Sequence, residues 1–70
     1  MATTLTELRE ELIWSQAELA RRAGVAAVTV SKAERGESIN GRSALLICKA
    51  LSTALNRKVS PREIGLNVNV

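Results

Sequence analysis

The chain has 70 residues, enough for one domain with a small core, which excludes a large enclosed catalytic cavity. It has no His and only one Cys, so a structural zinc site and an intrachain disulfide are excluded, and the most common general base is missing. We therefore expect neither an enzyme nor a bound metal or cofactor.

The charge is uneven along the chain. The chain contains ten Lys and Arg residues and seven Asp and Glu residues, which gives a net charge of +3. Residues 1–20 carry a net −3 and residues 21–70 a net +6, an asymmetry that indicates a polyanionic partner on one side. The longest apolar stretches are far shorter than the ~20 residues of a membrane span, and no signal peptide is visible, so we expect a cytoplasmic protein and no membrane contact.

Helix start and stop signals are explicit. A Ser or Thr followed three residues later by Glu is the capping-box pattern of a helix start, and it occurs at Thr4, Ser15 and Ser60. Glycines that follow helical patterns indicate left-handed helix ends at Gly24, Gly36 and Gly65. With Asn40 as a further N-cap, these signals predict helices at about 5–13, 16–23, 27–35, 41–55 and 61–64.

The predicted fold is all-α, with one domain at 1–65 and a short extended tail at 66–70. The third helix contains β-branched residues at 28–30 that also suit a strand, but a lone strand in a helical chain would have no partner. Apolar periodicity assigns to the core Leu5, Leu8, Leu12, Ala17, Leu19, Ala20, Ala23, Leu45, Ile47 or Cys48, Leu51 and Leu55.

The second and third helices, joined by a turn at Gly24, form a helix-turn-helix pattern. The runs S-Q-A-E-L-A-R-R-A-G-V (residues 15–25) and V-S-K-A-E-R-G (residues 30–36) resemble the Cro/C1-type helix-turn-helix family of phage repressors and bacterial regulators. The resemblance implies a compact five-helix, lambda-repressor-like domain that binds DNA. One departure is Ala26, where the family usually has a polar N-cap, so the third helix should be poorly capped.

The outward side of the third helix is the expected reading surface. Because each helical residue turns by about 100°, Val30, Ala33 and Glu34 should face the core while Val28 and Lys32 point away. The outward side of such a helix enters the major groove, which implies base contacts by Ala27, Val28, Thr29 and Lys32. Phosphate contacts are expected from Gln16, Ser31, Arg35, Ser38 and Arg42. For Val28 the alternative is a core contact, and for Lys32 and the phosphate-contact residues it is an ordinary surface position.

The resemblance also implies a structural ion pair between Arg9 and Glu34. Cys48 lies in an apolar run and is expected to be a core residue rather than a redox site. Trp14 is expected to pack beside Leu19 as a hydrophobic staple.

These features together predict a sequence-specific transcription regulator, a repressor, which binds a palindromic double-stranded operator as a homodimer. The alternation of Leu66, Val68 and Val70 with Asn places the expected dimer contact near the fifth helix and the tail. The alternative function is a protein-interaction module, such as an antitoxin-like partner, with secondary DNA binding.

Overall fold

A computed structural model describes residues 4–69. Its elements are α1 (Thr4–Glu11), α2 (Gln16–Ala23), α3 (Ala27–Glu34), β1 (Ile39–Asn40), α4 (Gly41–Leu55) and β2 (Val68–Asn69). The helix assignment of 27–35 is confirmed to within one residue. None of the helices within residues 4–69 has the length and hydrophobicity that a transmembrane span requires.

Local capping explains where the helices begin and end. The Ser15 side chain accepts a hydrogen bond from the Glu18 backbone N–H at 3.0 Å, and the Asn40 Oδ1 accepts from the Ser43 N–H at 2.7 Å. Gly24 ends α2 with φ at +77°. In contrast, α3 begins after Ala26 without a side-chain cap, as expected. The start of α3 therefore lacks the side-chain hydrogen bond that caps α2 and α4, and Val30 is its first buried residue.

The core lies between α2 and the helices that pack on it, α3 and α4. Its largest fully buried side chains are Leu5, Leu19, Val30, Ile47, Leu51 and Ile64. Two core predictions are wrong: Ala17 is exposed, and Leu45 is 65% exposed. Leu45 follows the buried Ala44 and is turned by about 100° from it, away from the buried side of α4.

The predicted fifth helix is a single hydrogen-bonded turn, so that prediction is wrong. The Ser60 side chain accepts from the Glu63 N–H at 3.2 Å, and the Leu66 N–H donates to the Pro61 carbonyl at 3.0 Å. Gly65 then leaves the helical region with φ at +69°. The turn buries Ile64, which accounts for the apolar signal without a helix.

The described part of the predicted extended tail contains the strand β2, which pairs within the chain. β2 runs parallel to β1, with Ile39 opposite Val68, and the Ile39 N–H donates to the Asn67 carbonyl at 2.9 Å. Leu66 and Val68, two of the three apolar residues on which the expected dimer contact was placed, are half-buried against the core of their own chain. Val70, the third of these residues, lies outside the described residues.

Candidate nucleic-acid interface

The two sides of α3 differ sharply in exposure. Val30 and Ala33 are 0% and 2% exposed and pack into the core. On the opposite side Val28 is 58% exposed, and Ala27 and Lys32 are also exposed. We call this outer side, made of Ala27, Val28, Thr29 and Lys32, the recognition face.

A polar groove lies between α3 and the start of α4. It has a volume of about 300 Å³ and is lined by Thr29, Lys32, Ser38, Ile39, Asn40 and Ser43. The groove brings together three predicted contact residues, Thr29, Lys32 and Ser38, from two different segments. Sequence reasoning missed Asn40 and Ser43 as groove residues. The N-cap signal identified Asn40, but it carries no information about which element Asn40 faces.

The cations around the recognition face fall into two groups. Lys32 and Arg42 are exposed and form no ion pair within residues 4–69. Arg35 instead donates from Nε to Glu37 at 2.6 Å and from Nη1 to the Ser31 Oγ at 2.9 Å. To bind a phosphate, Arg35 and Ser31 must therefore first break hydrogen bonds within the chain. Lys32 and Arg42 have no ion pair to break in the described part of the chain.

Behind the recognition face, the last residue of α3 forms what we call the Glu34 network. The Glu34 carboxylate accepts from Arg9 Nε at 2.6 Å, from Arg9 Nη2 at 3.1 Å and from Thr6 Oγ1 at 2.9 Å. The side chains of Arg9 and Glu34 are 13% and 7% exposed, so this ion pair is largely shielded from water. Arg9 Nη1 also donates to the Trp14 carbonyl at 2.7 Å. The network thus joins α1, the turn before α2, and α3.

Gln16 belongs to the same network. Its Nε2 donates to Glu34 Oε1 at 3.1 Å from the first turn of α2. A carboxamide nitrogen carries two N–H groups, so the bond to Glu34 leaves one N–H for a phosphate. The structure therefore gives Gln16 a scaffold role that the sequence did not indicate.

Burial and hydrogen bonding shift the pKa of the Glu34 carboxyl in opposite directions. Burial raises the pKa of its carboxyl, but hydrogen bonds from Arg9, Gln16 and Thr6 and the positive charge of Arg9 outweigh burial and hold the pKa below its ordinary value. Glu34 is therefore ionised at neutral pH.

Cys48 is buried in the core of α4, and burial, with a smaller effect from the charge of Glu63, raises the pKa of its thiol to about 11. The thiol is thus neutral and poorly nucleophilic, in keeping with a packing role. No cluster of metal-binding side chains is present among residues 4–69.

The chain was compared with known protein families, curated proteins and solved structures, and the match to a family runs from α1 to α4. A search of curated proteins and a search of solved structures each gave no significant match. A family model described as "Helix-turn-helix" matches residues 5–57, which is more than half of the chain and includes the recognition face and the Glu34 network. The chain therefore belongs to the Cro/C1-type helix-turn-helix family of DNA-binding regulators.

Proposed function

We propose that this protein is a sequence-specific repressor of transcription that inserts α3 into the major groove of its operator. The observation that carries the proposal is the exposure of the recognition face on a helix whose other side is fully packed. The major groove of B-DNA is about 12 Å wide and admits one α-helix. A helix that is packed on one side and open on the other meets that requirement.

The recognition face offers the chemistry needed to distinguish base pairs. Lys32 donates to guanine O6 and N7, and Thr29 contacts a neighbouring base edge. Ala27 and Val28 pack on thymine methyl groups. The exposure of Val28 supports this assignment, because a thymine methyl would remove its side chain from water.

Phosphate contacts fix the register of the helix without reading sequence. In this proposal Gln16 and Arg42 bind phosphates on either side of the groove, with Ser38 from the polar groove. Ser31 and Arg35 contribute less, because their present hydrogen bonds must first be given up.

A single module of this size makes few base contacts, so we propose that the protein binds as a homodimer to a palindromic operator with half-sites about 34 Å apart. Repression needs only occupancy of the operator, since a bound dimer excludes other proteins from the same DNA. Activation would need a further contact. The proposed site of action is DNA in the cytoplasm of a bacterial cell.

Selection from random duplex DNA at physiological salt tests this function. We expect a consensus of two inverted half-sites, and an affinity whose logarithm falls with the logarithm of salt concentration by about 0.9 for each neutralised phosphate. Equal affinity for any polyanion, with no selected sequence, would contradict the proposal and would favour the protein-interaction alternative.

Repression is tested by transcription in vitro from a promoter that overlaps the selected site. The same promoter with a scrambled site is the control. We expect the protein to reduce transcript only from the first template, and an unchanged or increased transcript would contradict a repressor.

A further inference from the structure

The turn between α1 and α2 contains an unusual residue, Ile13. Its φ is +60° and its side chain is 91% exposed. It ends α1 in a left-handed conformation, with its N–H bonded to the Glu10 carbonyl at 2.9 Å and the Trp14 N–H bonded to the Arg9 carbonyl at 3.1 Å. Glycine or asparagine suits this position, whereas a β-branched residue is strained there. Ile13 therefore lowers the stability of the chain and gains no burial in return.

An open groove lies between α2 and α4, and Trp14, the residue that follows Ile13 in the chain, is part of its lining. It has a volume of about 420 Å³, and its mostly apolar lining includes Trp14, Ala23, Leu46, Lys49, Ala50 and Ala54. We call it the α2–α4 groove. It shares no lining residue with the polar groove and includes none of the recognition face.

The charges around the α2–α4 groove and on α1 are complementary. Lys49 is exposed at the groove and has no ion pair within residues 4–69, whereas Arg22, also at the groove, is held by Glu18 at 2.7 Å. The last turn of α1, which leads into Ile13, carries Glu10 and Glu11, both exposed and likewise without an ion pair in the described part of the chain. Each chain thus carries an exposed apolar side chain with acidic neighbours, and, starting at the next residue, a mostly apolar groove with the cation Lys49, which is unpaired among the described residues.

We propose that this surface is the homodimer contact, in which Ile13 of each copy inserts into the α2–α4 groove of the other. Glu10 and Glu11 then approach the other copy's Lys49. A two-fold contact must be self-complementary. This one can be, because each chain carries both the inserting residue, Ile13, and a groove whose lining begins at the next residue, Trp14, so that both insertions occur at once. The recognition face stays outside the contact. The inference rests on the proposed function, because it supplies the dimer that a palindromic operator requires.

Sedimentation equilibrium of the full chain without DNA tests the contact, with Ile13→Gly as the main variant. Glycine relieves the left-handed strain, so this variant should raise the thermal midpoint while weakening dimerisation about tenfold or more. Val28→Ala is the matched control, since it shortens another exposed apolar side chain outside the contact and should leave dimerisation unchanged. If Ile13 were only a strained turn residue, its replacement would move the thermal midpoint and leave association as it was, which would overturn the proposal.

Charge reversal tests the pairing directly. Chains with Lys49→Glu, and chains with Glu10→Lys and Glu11→Lys together, should each self-associate more weakly than the unchanged chain. A mixture of the two should form heterodimers, because opposite charges then meet at both ends of the contact. A mixture that associates no better than its components, or an unchanged chain that is monomeric up to about 1 mM, would overturn the proposal. These measurements use no DNA, so their failure is distinguishable from a failure to select a DNA consensus.

Discussion

The inner and outer sides of α3 differ in how far their side chains are buried and bonded within the chain. On the inner side Val30 is fully buried, and the Glu34 carboxylate accepts four hydrogen bonds from three other residues. On the outer side Lys32 is exposed and has no ion pair within the described residues 4–69. Polar groups with satisfied partners hold the helix in place, and those without protein partners remain available for a ligand.

The largest expected effect, on the unfolding free energy, comes from removing the Arg9–Glu34 ion pair on the inner side of α3. Arg9→Ala leaves Glu34 largely buried without its cation, and loss of one partner from a buried pair costs about 3 to 5 kcal/mol of unfolding free energy. Arg35→Ala is the matched control, because Arg35 and Glu37 form an exposed pair that contributes under about 1 kcal/mol. Denaturant unfolding of both variants measures the difference, and equal losses would show that the Glu34 network is no stronger than a surface pair.

Acid should lower the stability of the fold by protonating Glu34 on the same inner side of α3. The pKa of Glu34 is lowered in the folded chain, so its ionised form stabilises the fold above the unfolded carboxyl pKa of about 4.3, and this contribution is lost as the pH falls through the folded pKa. Thermal unfolding is measured from pH 7 to pH 2. The thermal midpoint should fall more steeply with decreasing pH for the unchanged chain than for Glu34→Gln. Parallel pH profiles would mean that Glu34 does not titrate differently in the two states.

Replacing a residue on the outer side should change sequence preference and leave the fold intact. Lys32→Ala should cost about 1 to 3 kcal/mol of binding on the preferred duplex and much less on random duplexes, since base edges carry the sequence information. The thermal midpoint should not move. Equal losses of affinity on both duplexes would reassign Lys32 to a phosphate.

The smallest expected effect is on non-specific DNA affinity, and it distinguishes Arg42 from Arg35, the two arginines that flank the recognition face. Arg42→Ala should weaken binding to all sequences alike and reduce the salt slope by about 1. Arg35→Ala should do less, because Arg35 is already bound to Glu37 and Ser31. Titrations at several salt concentrations measure both slopes, and a larger change for Arg35→Ala would contradict this order.

Local signals predicted the helices well because their causes lie within a few residues. Ser15 and Asn40 cap α2 and α4, and helical periodicity assigned Val30 and Val28 to opposite sides of α3. The family resemblance added the pairing of Arg9 with Glu34, which are far apart in the sequence and adjacent in the fold.

The errors arose where distant segments decide the outcome. The turn at Pro61 has a helix-start signal but only enough chain for one turn before Gly65, and the partner of the tail strand, Ile39, lies 29 residues before Val68. Leu45 was assigned to the core because periodicity alone does not show which side of α4 is covered. The polar groove depends on the same packing, so Asn40 and Ser43 could not be identified as its lining from the sequence.

The most direct test of the central claim, that the outer side of α3 reads bases while the inner side only holds the helix, is a parallel selection from random duplex DNA. The unchanged chain and Lys32→Ala are selected side by side at the same salt concentration. We predict that Lys32→Ala loses or changes preference at the base pairs read by Lys32 and retains the rest of the consensus and its half-site spacing. An identical consensus at every position would contradict the claim.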